Sequence, residues 1–312
     1  VGGFAEVYEV ATAGGIPCAI RISLDPVDQD NPAVQKELEN LEMLKRLTGH
    51  PRLVSLLDYW VVGGYLVTRW ELAPEGNLLD VLARYQREGK PGIPQNELLR
   101  YMRDVAEAID FLNTQGIYHR DIKPANLLVF FNEVKVGDLG LAKFVGASTA
   151  SHTGGGTFGY LPPEAQLGRL SPTVDLYALA GTYVKLRTGR EPFGNNSQEI
   201  FDRQRAGDPI LDGLDPAEAA VVRQALAADP AARPQQGARE WVKKLSEALR
   251  QKSAIPQVAQ NTPQTPSPEE DGKEDRDDFP YWTIILVLWA FGLEVSISFY
   301  HICGRFGDGA SS

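Results

Sequence analysis

The sequence predicts an α+β chain of two lobes, a small antiparallel β lobe carrying one helix and then a larger, mainly helical lobe. Short β-branched and aromatic segments separated by Gly-Gly pairs fill the first part of the chain. Apolar stripes at helical spacing take over after Asn77. A third observation bounds the folded part: near residue 253 the composition turns to a Pro-rich and acidic stretch, followed by an apolar C-terminal run.

Residues 6–10 and 17–22 read as the first pair of strands, turning at Gly14-Gly15, and residues 53–60 and 65–70 as the second, turning at Gly63-Gly64. Glycine supplies the positive φ that a tight hairpin turn demands. Between the pairs, Val34, Leu38, Leu41, Leu44 and Leu47 recur at helical spacing and predict one amphipathic helix. In the second lobe Leu98, Met102, Val105, Ile109 and Leu112 form one stripe, with Asn96 as its N-cap and Gly116 as its stop. Residues 174–186 are apolar on most sides, as expected of a helix buried at the centre of a lobe. The expected divisions are therefore a small lobe over 1–76, a large lobe over 77–252, a linker over 253–279, a hydrophobic helix over 280–302 and a tail over 303–312.

The linker follows from composition. Pro256, Pro263, Pro266 and Pro268 alternate with Gln, Ser and Thr, and acids crowd residues 269–278. Such a stretch cannot bury enough apolar surface to offset the entropy of ordering it. Residues 280–302 are long enough to cross a hydrocarbon layer of about 30 Å. Tyr281, Trp282 and Tyr300 sit where interfacial aromatics belong. Glu294 opposes a span, because a carboxylate there costs on the order of a few kcal/mol unless protonated, paired or snorkelling. A single helix through a lipid bilayer is expected, with an amphipathic surface helix or a partner-docking helix as the alternatives. The formal net charge of −10, with 31 Lys+Arg against 41 Asp+Glu, gives no footprint for nucleic acid. Cys18 and Cys303 cannot build a disulfide framework, which points to a reducing compartment, and Cys18 reads as a small core residue.

One stretch carries chemistry. His119-Arg120-Asp121-Ile122-Lys123-Pro124-Ala125-Asn126 is followed by Asp138-Leu139-Gly140. Phosphoryl transfer uses these groups in this order: an aspartate to position a hydroxyl, a lysine to meet the transferred phosphate, and an amide and a carboxylate to hold magnesium. The stretch resembles the eukaryotic-type protein kinases, in their Ser/Thr branch, whose small β lobe likewise precedes a larger helical one. The resemblance implies the two-lobed protein-kinase fold, ATP and Mg2+ as cofactors, and Ser/Thr protein substrates. It assigns Asp121 as the acceptor of the substrate's proton, Lys123 as the neutraliser of phosphoryl charge, and Asn126 and Asp138 as the metal ligands. His119 reads as a structural, hydrogen-bonded histidine.

The small lobe matches the family in part. Val1-Gly2-Gly3-Phe4-Ala5-Glu6-Val7-Tyr8 resembles the back half of its glycine-rich loop, with Gly2 and Gly3 approaching phosphate and Ala5 where a third glycine is usual. The pattern begins part-way through, so a first strand is expected to precede Val1. Val7 and Ala19 fall where the family sandwiches adenine. Cys18-Ala19-Ile20-Arg21 resembles its Val-Ala-Ile-Lys strand with Arg21 in place of the lysine, and a planar, forked guanidinium does not substitute simply for a compact ammonium. Glu37 best reproduces the spacing of the glutamate that pairs with this cation; counting back from His50-Pro51 gives Asn40 instead, and Glu39 stays open. Trp70-Glu71-Leu72-Ala73 resembles the hinge, where backbone groups of Glu71 and Ala73 meet adenine, Trp70 is the gatekeeper and Asn77 lies near the ribose.

Further along, the loop from Asp138 to Pro162-Pro163-Glu164 resembles an activation segment. The resemblance implies an ion pair between Glu164 and Arg233, an Asp175 anchor for the catalytic loop, and an Arg120 that receives phosphate carried by Ser148, Thr149, Ser151 or Thr153. Self-association for autophosphorylation goes with it. The whole layout resembles the bacterial receptor-like kinases, membrane-tethered with the folded unit in the cytoplasm. Arg21 and Ala5 motivate an alternative, a pseudokinase that binds ATP as a scaffold. A small-molecule phosphotransferase is disfavoured by Thr157, Glu164 and Arg233.

Overall fold

The computed structural model describes residues 5–28, 31–139 and 159–253. The expected linker from residue 254 on, the 280–302 helix and the tail lie outside these residues, as do Gly2, Gly3, Thr157 and the four candidate phosphate acceptors.

The small lobe is a four-stranded antiparallel sheet in the order β1-β2-β4-β3. Its strands are β1 (Ala5–Ala11), β2 (Pro17–Ser23), β3 (Leu56–Val62) and β4 (Tyr65–Glu71), with helix α1 (Pro32–Leu47) between the pairs. Gly63 and Gly64 take φ of 58° and 85° in the second hairpin, the conformation that selects glycine there. On α1, Leu41 and Leu44 are buried whereas Val34, Leu38 and Leu47 are only half-covered, so the predicted stripe packs mainly through its middle.

One strand starts later than the sequence predicts. Leu53 and Val54 do not belong to β3; Leu53 bridges Val136 in parallel and the Val54 N–H donates to the Val136 carbonyl at 3.0 Å. These β-formers are drawn instead to a hairpin in the large lobe, β5 (Leu127–Phe130) and β6 (Glu133–Val136), which the sequence analysis missed. Strands this short show no clear period, and their turn at Phe131 and Asn132 (φ 46° and 72°) contains no glycine to announce it.

The large lobe holds α2 (Leu78–Arg87), α3 (Gln95–Thr114), α4 (Pro163–Gln166), α5 (Val174–Thr188), α6 (Ser197–Ala206), α7 (Pro216–Ala225) and α8 (Ala238–Ser253). The α3 stripe is buried in full, each of its five residues at 1% exposure or less, and a buried side chain of this kind contributes roughly 1.5–3 kcal/mol. Its cap differs from expectation: Pro94 occupies the N-cap position without a side-chain hydrogen bond and Asn96 falls inside the first turn. Proline's fixed φ suits that entry. Helix α5 is buried around nearly its whole circumference, as predicted, and it is the post on which the lobe is built. It ends at Gly189, whose φ of 74° and whose missing Cβ, which would lie 2.3 Å from the Pro91 carbonyl, both require glycine.

Arg233 is a buried charge that organises this lobe. Its guanidinium donates to both carboxylate oxygens of Glu164 at 2.6 and 2.8 Å, to the carbonyls of Ala227 and Ala228, and lies over the Tyr177 ring. The arginine side chain is 0% exposed and the glutamate 11%. Burial by itself would raise the Glu164 pKa, but Arg233 and Ser171 together outweigh it and hold the carboxyl below its ordinary value. A depressed folded pKa contributes stability that is present above the unfolded value and lost as pH falls through the folded one. Glu164→Gln should therefore destabilise the fold by about 3–5 kcal/mol near neutral pH, because it leaves Arg233 buried without a counter-charge. The gap from wild type should shrink below roughly pH 4 as the wild-type carboxyl protonates; urea denaturation across pH checks both statements.

Candidate active site

The loop from His119 to Asn126 is irregular, so its shape has to come from elsewhere. Asp175, in the first turn of α5 and wholly buried, accepts the N–H groups of His119 at 2.8 Å and Arg120 at 2.7 Å. That pair holds Arg120 at φ 65°, a conformation a non-glycine residue seldom adopts. His119 is buried, with Nε2 2.9 Å from the Gly137 carbonyl and Nδ1 3.3 Å from the Asp121 N–H. Since a backbone N–H can only donate, Nδ1 is the acceptor and Nε2 carries the proton. The ring is thus a neutral structural strut, in keeping with the sequence reading.

A 3-10 turn over Pro124–Asn126 folds the asparagine back onto the aspartate. Asn126 Nδ2 donates to the Asp121 carbonyl and to Asp121 Oδ2, both at 2.8 Å, while Lys123 Nζ stands 3.1 Å from the same Oδ2. These contacts fix the plane of the Asp121 carboxylate. Because the Asn126 amide nitrogen is committed there, Oδ1 is the atom with which this residue can ligate a cation.

Gly137 completes the link and was not singled out in the sequence. Its N–H donates to the Asn126 carbonyl at 2.9 Å and its own carbonyl meets His119. A Cβ on it would press on Val54 and Leu128 at 3.2–3.4 Å. Thus the residue before Asp138 is fixed to the loop from His119 to Asn126, and Asp138 follows at φ 51°. Asp138 and Asn126 offer hard oxygen donors of the type Mg2+ takes. Among the described residues no group of three or more His, Cys, Asp or Glu could hold a metal. A cation here would fill its remaining positions from phosphate and water.

From the small lobe, Arg21 Nη1 reaches Asp138 Oδ1 at 3.3 Å. The strand register pairs Val7 with Arg21 and pairs Ala19 with Trp70, so Val7, Ala19, Arg21 and Trp70 share one face of the sheet. Val7 is exposed, and the Trp70 indole N–H is satisfied by Thr68 Oγ1 at 2.9 Å. The side chain of Glu37 lies outside the described residues, as does that of Asn40; Glu39 is exposed. Glu71 ends β4 and Ala73 follows it half-buried. Asn77, expected near the ribose, stands at the N-cap of α2. Its Oδ1 caps α2, accepting the N–H of Leu79 at 2.8 Å and of Asp80 at 3.4 Å, while Asp80 returns a bond to the Asn77 N–H. The amide oxygen is consumed by orphan helix donors.

Comparison with known proteins identifies the family. Residues 1–248 match the family model described as the protein kinase domain. The chain is 28% identical over 193 residues to the mouse (Mus musculus) phosphorylase b kinase gamma catalytic chain, liver/testis isoform, covering 59% of this chain and 46% of that one. It is 31% identical over 197 residues to the receptor-like kinase TMK4 of Arabidopsis thaliana, covering 61% and 21%. It is 30% identical over 212 residues to the Aurora/IPL1-related protein kinase 2 of Caenorhabditis briggsae, covering 66% and 67%. Against the first two, the chain spans less than half of the relative's length.

Asp175→Asn keeps one acceptor oxygen but turns an NH2 group toward a backbone N–H. A hydrogen bond to a charged group contributes about 1.5–3 kcal/mol, so amide exchange at His119 and Arg120 should accelerate by roughly 10- to 100-fold. Hydrogen–deuterium exchange resolved to those two amides checks this.

Proposed function

The chain belongs to the protein kinase family, and from that premise we propose that it transfers the γ-phosphoryl group of ATP to serine or threonine hydroxyls of proteins. The observation that carries the proposal is the single cluster formed by Asp121, Lys123 and Asn126, linked through Gly137 to Asp138. When bound, ATP and Mg2+ supply the phosphoryl group and the neutralisation of its charge. Asp121, its carboxylate plane set by Asn126 and Lys123, orients the substrate hydroxyl. The hydroxyl oxygen bonds to the γ-phosphorus, the bond to the ADP oxygen breaks, and the hydroxyl proton passes to Asp121. Lys123 neutralises charge on the moving phosphoryl group, and its presence favours Ser/Thr substrates by resemblance. Asn126 Oδ1 and the Asp138 carboxylate are the groups that would hold the cation.

In the same proposal Gly2 and Gly3 cover the phosphates, Val7 and Ala19 enclose adenine, Glu71 and Ala73 meet its edge through backbone groups, and Arg21 faces the phosphates, with Glu37 as its helix partner. We also propose a membrane tether at 280–302. It rests on the length, apolarity and aromatic flanks of that stretch and on similarity to proteins named receptor-like kinases. Among the described residues no helix is long and apolar enough to cross a membrane. Self-association for autophosphorylation, with Arg120 receiving the phosphate, is part of this reading.

A second reading has its own observation. Arg21 contacts Asp138 directly, so the guanidinium competes for the carboxylate that a cation needs. A pseudokinase that binds ATP as a scaffold would look the same.

Transfer of labelled phosphate to a generic protein substrate separates the two. The enzyme reading expects transfer by the wild type and a loss of about 10²–10⁴-fold in Asp121→Asn. No transfer by the wild type together with recovery in Arg21→Lys would establish the second reading instead.

A further inference from the structure

Lys135 on β6 has no part in the chemistry above, yet it is the large-lobe residue that grips the end of β4. Its Nζ donates to Glu71 Oε1 at 2.8 Å and to Oε2 at 2.7 Å. Both side chains are mostly covered, 18% and 22% exposed. Glu71 Oε1 also accepts the Ser55 N–H at 2.6 Å, and the Glu71 N–H donates to the Ser55 carbonyl at 3.0 Å. The ammonium lies 4.5 Å from the centre of the Phe130 ring, which fixes it from the hairpin side. Glu71 is therefore held from two directions, by a neighbouring backbone and by a cation from the other lobe.

The strand that carries Lys135 runs on through Val136 and Gly137 to Asp138. Val136 is itself fixed, its N–H to the Arg52 carbonyl at 2.8 Å and its carbonyl to the Val54 N–H. Asp138 and the anchor of Glu71 thus hang from one short, hydrogen-bonded stretch. We infer that the Glu71–Lys135 ion pair sets the separation between the adenine end and the phosphate end of the nucleotide site, making Lys135 a positioning residue for nucleotide affinity. This rests on the reading that Glu71 lies at the adenine edge and Asp138 at the phosphates. Exposed ion pairs contribute little to global stability. A covered pair at the end of a strand acts on position: without the ammonium, the Glu71 carboxylate has to recruit water and β4 loses its tie to β6.

The test uses the full chain with Lys135→Met, Lys135→Arg and Glu71→Gln, and Lys90→Met as a control that breaks an exposed pair with Glu88. Calorimetry gives the Kd for Mg-ATP, and steady-state assays give KM for ATP, KM for the protein substrate and kcat. Lys135→Met and Glu71→Gln should each weaken ATP binding and raise its KM by about fivefold to tenfold. The protein-substrate KM should stay constant and kcat at saturating ATP should hold within about twofold. Lys135→Arg should restore affinity, and Lys90→Met should match the wild type. If Lys135→Met fails to fold, Glu71→Gln keeps the side-chain shape and carries the test. An unchanged Kd in folded variants, or a fall in kcat alone, overturns the inference while the kinase reading stands. A wild type that binds no ATP overturns both.

Discussion

A carboxylate with no exposure to solvent, Asp175, holds the loop from His119 to Asn126 in shape. Burying such a charge costs several kcal/mol unless its oxygens are satisfied, and here backbone N–H groups of His119 and Arg120 satisfy them. Its place in the first turn of α5 adds the favourable end of the helix dipole. The arrangement is mutual. The loop supplies donors that make a buried aspartate tolerable, and the aspartate holds a left-handed Arg120 that would otherwise relax. Because α5 is enclosed by the large lobe, that anchor cannot drift without disturbing the packing around it.

Two backbone strains sit in the candidate site. Arg120 and Asp138 have φ of 65° and 51°, and each such residue costs about 1–3 kcal/mol. They are held by one network: Asp175 on one side, then His119, Gly137 and Asn126 in sequence toward Asp138. His119 serves this network as a neutral ring with a fixed tautomer, joining two loops by one donor and one acceptor. A histidine beside a carboxylate invites an acid–base role, yet its burial and its bonds to Gly137 and Asp121 assign it to architecture.

The lobes are coupled by polar contacts as well as by apolar packing. Arg52 meets Asp104, Glu107 and Glu133 at 3.0–3.3 Å, joining the segment before β3 to α3 and to the β5–β6 hairpin. Burial alone would lower the guanidinium pKa, but the three carboxylates outweigh it and raise it. Beside it, His50 stacks on Phe111 at 4.2 Å. The Glu71–Lys135 pair adds a second connection at the end of β4. Between these ties the small lobe presents Arg21 to Asp138, which places a cation of one lobe on the metal-type ligand of the other.

The sequence by itself determined the order of the lobes, the buried faces of α3 and α5, the glycine turns and the identity of the residues at the loop from His119 to Asn126. These features are local: periodicity and turn chemistry are written within a few residues of where they act. The Glu164–Arg233 pair was legible too, through resemblance. Tertiary structure alone decided the rest. Leu53 and Val54 read as strand, but the hairpin they pair with lies far along the chain and has strands too short to show a period. The cap that Asn77 makes through its Oδ1 to the orphan N–H groups of α2 is a contact the sequence reading did not include. The contact of Arg21 with Asp138, the role of Gly137 and the grip of Lys135 on Glu71 join residues that no spacing rule connects. Each depends on a distance of a few ångströms, and packing, not sequence proximity, sets that distance.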